Sequence, residues 1–74
     1  MAVNRVMNVT EVFHLMADVW SLYKKYADRP LKENELDSFR EEAKEVYNRY
    51  GTVFAKAVIL ALIEEIERYI KHFE

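Results

Sequence analysis

Glu11, His14 and Asp18 are spaced i, i+3 and i+7, which on a helix puts two carboxylates and an imidazole on one face. Such groups ligate divalent metals. Helical di-metal carboxylate proteins use the Glu-x-x-His pair twice, with two further inward-facing glutamates. Here the pair occurs once and falls in the middle of a polar arc, so it reads as a solvated face and no metal ligands are assigned. Glu64, Glu65 and Glu67 form a second carboxylate group. Acid–base catalysis needs a cleft that shifts carboxyl pKa values, whereas these three share a charged helix surface with Arg68 and Lys71. Thr10, Ser21, Ser38 and Thr52 supply hydroxyls, but none is paired with a histidine in a pattern that marks a nucleophile. The absence of cysteine removes disulfides, thiolate metal sites and thiol nucleophiles. The expectation is a chain that is not an enzyme, with no catalytic residue, metal or cofactor.

Lys24, Lys25, Arg29 and Lys32 lie close to Tyr23 and Tyr26 and form the best candidate for gripping phosphate. Asp28 and Glu33 interrupt the cluster, and 11 Lys plus Arg against 13 Asp plus Glu leave a formal charge of −2. A helix-turn-helix would also need a polar recognition helix, and the candidate for that role is the most apolar segment of the chain. Nucleic acid is therefore not an expected partner; a small nucleic-acid-associated or phage-related regulator is the alternative function. The longest apolar run, Ala57 to Ile63, is far short of the roughly 20 residues of a membrane span. The N-terminus lacks the apolar stretch of a secretion signal. No membrane contact is expected, and the expected location is the cytoplasm.

Helices must position whatever these side chains do. The 74 residues include one glycine and one proline, where average usage would give roughly nine of the two together. Few turns and long helices follow. The first helix is predicted over 9–27, with Asn8 as N-cap, Glu11 closing a capping box, and Met7 and Val12 as a hydrophobic staple. Val12, Leu15, Met16, Val19, Trp20, Leu22, Tyr23, Tyr26 and Ala27 then cover about half its circumference, which suits a helix touching two neighbours. Pro30 ends it. The second helix is predicted over 33–50, with an acidic first turn and a stripe of Leu36, Phe39, Ala43, Val46, Tyr47 and Tyr50. Gly51 suits a left-handed C-terminal cap and Thr52 the N-cap of a third helix over 53–73. Surface pairs are expected at Glu45–Arg49, Glu64–Arg68 and Glu67–Lys71. Matched lengths and short loops predict an all-α, three-helix up-down-up bundle: one domain over 8–74, preceded by a short tail over 1–7. The expected core is Val12, Met16, Val19, Trp20, Tyr23, Leu36, Phe39, Ala43, Tyr47, Tyr50, Val58, Ile59, Leu62, Ile66, Ile70 and Phe73.

The runs Trp20-Ser-Leu-Tyr-Lys-Lys-Tyr26, Glu42-Ala-Lys-Glu-Val-Tyr47 and Phe54-Ala-Lys-Ala-Val-Ile-Leu-Ala-Leu-Ile-Glu-Glu-Ile-Glu-Arg68 resemble small uncharacterised all-helical proteins of Gram-positive bacteria and their phages, over residues 12–70. The resemblance implies a bacterial or phage setting. That family has no assigned activity, so the resemblance implies no site.

One feature exceeds the needs of a simple bundle. On the third helix Val53, Ala57 and Leu60 lie opposite the main stripe, flanked by Ala61 and Ile63, so its N-terminal half is apolar nearly all round. Such a helix is buried on both sides. Two covers are expected: the chain's own tail, through Val3, Val6 and Met7, or a second chain. A homodimer is the expected partner arrangement, with a different protein as the other, because two-fold dimers are the commonest oligomers. The expected function is a non-catalytic helical interaction or structural module that self-associates through Val53, Ala57, Leu60, Ala61 and Ile63.

Overall fold

The first helix, α1 (Val9–Tyr26), begins at Asn8, whose side chain accepts from the Glu11 N–H at 2.8 Å while the Glu11 carboxylate accepts from the Asn8 N–H at 3.2 Å. The predicted capping box is present, and the staple residues Met7 and Val12 both join the core. In this computed structural model the described residues are 3–27 and 31–72, so Pro30 and Phe73 lie outside them. The second helix, α2 (Glu33–Tyr50), starts where the Glu35 carboxylate accepts from the Lys32 N–H, at 3.3 Å. It ends at Gly51, whose φ of +63° is the left-handed cap conformation that a Cβ disfavours. Thr52 then caps α3 (Val53–His72), its hydroxyl accepting from the Ala55 N–H at 3.0 Å.

The fold is all-α: three helices pack pairwise in one bundle, 39 Å along its longest axis. Leu15, Leu22 and Tyr26 of α1 meet Phe39, Ala43 and Val46 of α2 and Ala55, Ile59, Leu62 and Ile66 of α3. On α2 and α3 the buried Phe39, Ala43, Ile59, Leu62 and Ile66 are those expected, and Val46 and Ala55, which the expected core left out, are buried with them. On α1 the buried face is rotated by roughly 80°, at 100° per residue, from the one expected. Met16 and Trp20 are 41% and 57% exposed, whereas Leu15, Leu22 and Tyr26 are buried. The cause is geometric. A helix in a three-member bundle centres its stripe on the cleft between both neighbours, and α2 draws it round. The Tyr26 ring packs edge-on against Phe39, its hydroxyl donates to Glu42, and Lys25 pairs with Glu42 at 2.6 Å. Two turns earlier, Asp18 accepts from Tyr50 at 2.6 Å and from Arg49 at 2.8 Å.

Residues 3–8 are seated on the bundle. Val3 pairs in parallel with Thr52: its N–H donates to the Gly51 carbonyl at 2.8 Å, and its carbonyl accepts from the Val53 N–H at 3.0 Å. Met7 is buried beneath, with its sulfur 2.9 Å from the Thr52 hydroxyl. Arg5 clasps Glu11 through both guanidinium NH groups, at 2.7 and 3.1 Å.

Candidate interaction surface

Three of the expected interface residues stand on the outer side of α3. Val53 and Leu60 are 46% and 48% exposed, and Ala57 is exposed beside them. With Glu64 they lie, at 100° per residue, roughly 150° from the centre of the buried stripe. Ala61 is exposed at the edge of this row, and Ile63 turns half inward against the core. The row is a ridge between two grooves. One, of about 280 Å³, runs between α2 and α3 and is lined by Arg40, Lys44, Tyr47, Lys56, Ile59, Leu60 and Ile63. The other, of about 530 Å³, lies where residues 4–7 and Val12 meet Val53, Phe54 and Ala57.

The tail therefore covers less than the sequence suggested. It seals the α2–α3 turn through Val3 and Met7 and walls the start of α3, but Val6 is 96% exposed and Leu60 stays open. An apolar tail of this length can satisfy the turn or run along the ridge, and its two backbone hydrogen bonds to Gly51 and Val53 hold it at the turn.

A second apolar row lies on α1. Val9, Phe13, Met16 and Trp20, at i, i+4, i+7 and i+11, are all exposed, Val9 and Phe13 most of all. Trp20 stacks on Tyr23 with ring centroids 6.3 Å apart, and the Lys24 ammonium sits 5.7 Å from the Trp20 ring centre. Sequence reasoning put half of this row inside and passed over the other half. Its spacing was present, but an apolar arc spanning half the helix does not say which part its neighbours reach.

Glu11 and Asp18, weighed above as metal ligands, are held by other partners. Glu11 serves the cap and Arg5, and these hydrogen bonds, Arg5 first, hold its carboxyl below the usual range. Asp18 serves Tyr50 and Arg49, while His14 is exposed beside the Phe13 ring. Among the described residues no three His, Asp or Glu side chains gather as a metal-binding group. Lys25 and then Tyr26 hold the Glu42 carboxyl below its ordinary value; burial, helped by Glu42, pushes the Tyr26 phenol up. Of the basic cluster, Lys24 lies over Trp20 and Lys25 on Glu42, and Arg29 lies outside the described residues.

The surface pairs differ from those expected. Arg49 reaches across to Asp18 instead of back to Glu45, Arg40 of α2 takes Glu67 at 2.8 Å, and Arg68 takes Glu65 at 3.3 Å. At Arg49 and Glu67 interhelical partners that sequence spacing does not reveal have displaced the local ones, whereas Arg68 keeps a local partner, three residues back instead of four. Glu64 is left with no hydrogen-bonding or ionic partner among the described residues, and so are Lys44 and Lys56. No helix among the described residues is long and apolar enough to cross a membrane. Comparison with protein-family models, with curated proteins and with solved structures finds no match to this chain.

Proposed function

We propose that this chain is a non-catalytic helical interaction module that associates with itself. The observation that carries the reading is the amount of large apolar surface left uncovered on two adjoining helices, the α1 row and the α3 ridge. Burying apolar area is the main source of association free energy. A small bundle with a thin core gains proportionately more from it than a large one. The polar side chains fit this role, because Glu11, Asp18 and Glu42 hold the tail and helices together.

The test is light scattering on the full chain across the micromolar range. The expected result is a species of twice the chain mass whose population falls on dilution. A monomer at every concentration overturns self-association.

A further inference from the structure

We propose that the second copy docks antiparallel on α3 across a two-fold axis at Leu60, with Lys56 of each chain paired to Glu64 of the other. The proposal rests on the self-association reading above and deepens it by naming the surface, the direction and the charge pair.

Lys56, Leu60 and Glu64 are spaced i, i+4 and i+8 along the outer side of α3, and both charged residues lack a partner among the described residues. The lysine precedes Leu60 and the glutamate follows it by the same four residues, about 6 Å along the axis at 1.5 Å per residue. An antiparallel copy centred on Leu60 therefore brings Lys56 level with Glu64 of the second copy, and the symmetry makes the pair twice. A parallel copy in the same register sets Lys56 against Lys56 and Glu64 against Glu64. The charge pattern selects direction as well as partner.

Packing agrees with the charges. In the antiparallel register Leu60 falls between the levels of Ala57 and Ala61 of the second copy, two side chains small enough to let the helices approach closely. Val53 extends the apolar seam on one side of the axis and is symmetry-repeated on the other. A standard interface takes about 800 Å² from each partner, roughly 15% of the 5329 Å² surface of this chain. The ridge, with the grooves on either side of it, offers a face on which to find that area. The α1 row offers no comparable pattern. Among the described residues of α1, Lys24 is the charged side chain beside it, and that ammonium already lies over Trp20.

The test is the dimer dissociation constant by sedimentation equilibrium, with circular dichroism confirming that each variant stays helical. Leu60→Glu is expected to give a folded monomer. Lys56→Glu and Glu64→Lys, each alone, set like charges face to face and are expected to weaken the dimer about tenfold at low salt. The double variant Lys56→Glu with Glu64→Lys restores opposite charges and is expected to return to within about threefold of the unmodified chain. Single reversals without effect, or a double reversal weaker than both singles, would overturn the antiparallel pairing. If the chain dimerises but Leu60→Glu leaves the dimer intact while Phe13→Glu abolishes it, the surface is wrong and self-association stands. An unmodified chain that is monomeric throughout removes both.

Discussion

Thr52 does three things at one position: it caps α3 through Ala55, fills buried space completely, and rests its hydroxyl on the sulfur of Met7. Thr52→Ala should cost about 1–2 kcal/mol, the range for a lost helix cap, and chemical denaturation would show it as a shifted midpoint. Beside it, a Cβ on Gly51 would meet nothing within 4 Å, so the cost of Gly51→Ala comes from the left-handed backbone alone, about 1 kcal/mol. Charge sets the pH limits. Glu11 and Glu42 titrate below their ordinary values in the folded chain. The stability they add is complete above the unfolded carboxylate pKa of about 4.3 and is lost as pH falls through the lower folded values. Tyr26 and Tyr50 are raised, each first by burial and then by a carboxylate neighbour. Their contribution is complete below the ordinary phenol pKa of 10.0 and is lost as pH rises through the folded values. Glu42→Gln should therefore flatten the acid limb of a stability–pH profile and reduce the part of the alkaline limb that Tyr26 owes to this carboxylate, while the part from burial and from Tyr50 remains. An unchanged acid limb would mean that Lys25 and Tyr26 do not hold this carboxylate in solution.

At the scale of elements the outcome turned on how wide each apolar arc is. The α2 stripe is narrow and points one way, so Phe39, Ala43 and Val46 were legible from spacing alone, as were the caps at Asn8, Gly51 and Thr52. The α1 arc covers half a turn, and its burial depends on where two neighbours stand; Trp20 and Met16 look like core residues by type, yet lie outside it. Ion pairs were the least legible, because Arg49 and Arg40 choose between local and interhelical carboxylates, and the choice is made by distances that exist only after folding. The α3 ridge could be read because Val53, Ala57 and Leu60 stand opposite an already complete stripe, whereas the α1 row merges with its own core face. Truncation tests the rotation. Leu15→Ala should cost about 2–5 kcal/mol, as for a fully buried aliphatic. Met16→Ala, one residue on, should cost less than about 1 kcal/mol in the monomer. Equal losses in a urea titration would return α1 to the register first expected.

The molecule as a whole is three helices closed at one end by a tail. Deleting residues 1–7 removes Met7 from the core, frees Glu11 from Arg5 and uncaps the Val53 N–H. It should lower stability by at least about 2 kcal/mol, the cost of losing one buried methionine. It should leave self-association unchanged, because the tail does not reach Leu60; association that appears only after the deletion would show instead that the tail had been covering the ridge. The seat of the tail also has a consequence in time. Val3 joins backbone groups of the α2–α3 turn, and those groups take their places only once α2 has ended and α3 has begun. The tail must wait, and α3 starts with an unsatisfied N–H at Val53 until it arrives. In the finished protein that amide reports whether the wait has ended. Its hydrogen exchange should be slow while the tail is seated and approach the rate of an open helix start whenever the tail lifts. One backbone proton, at the start of a different helix from the segment it monitors, thus reports whether the tail is in its seat.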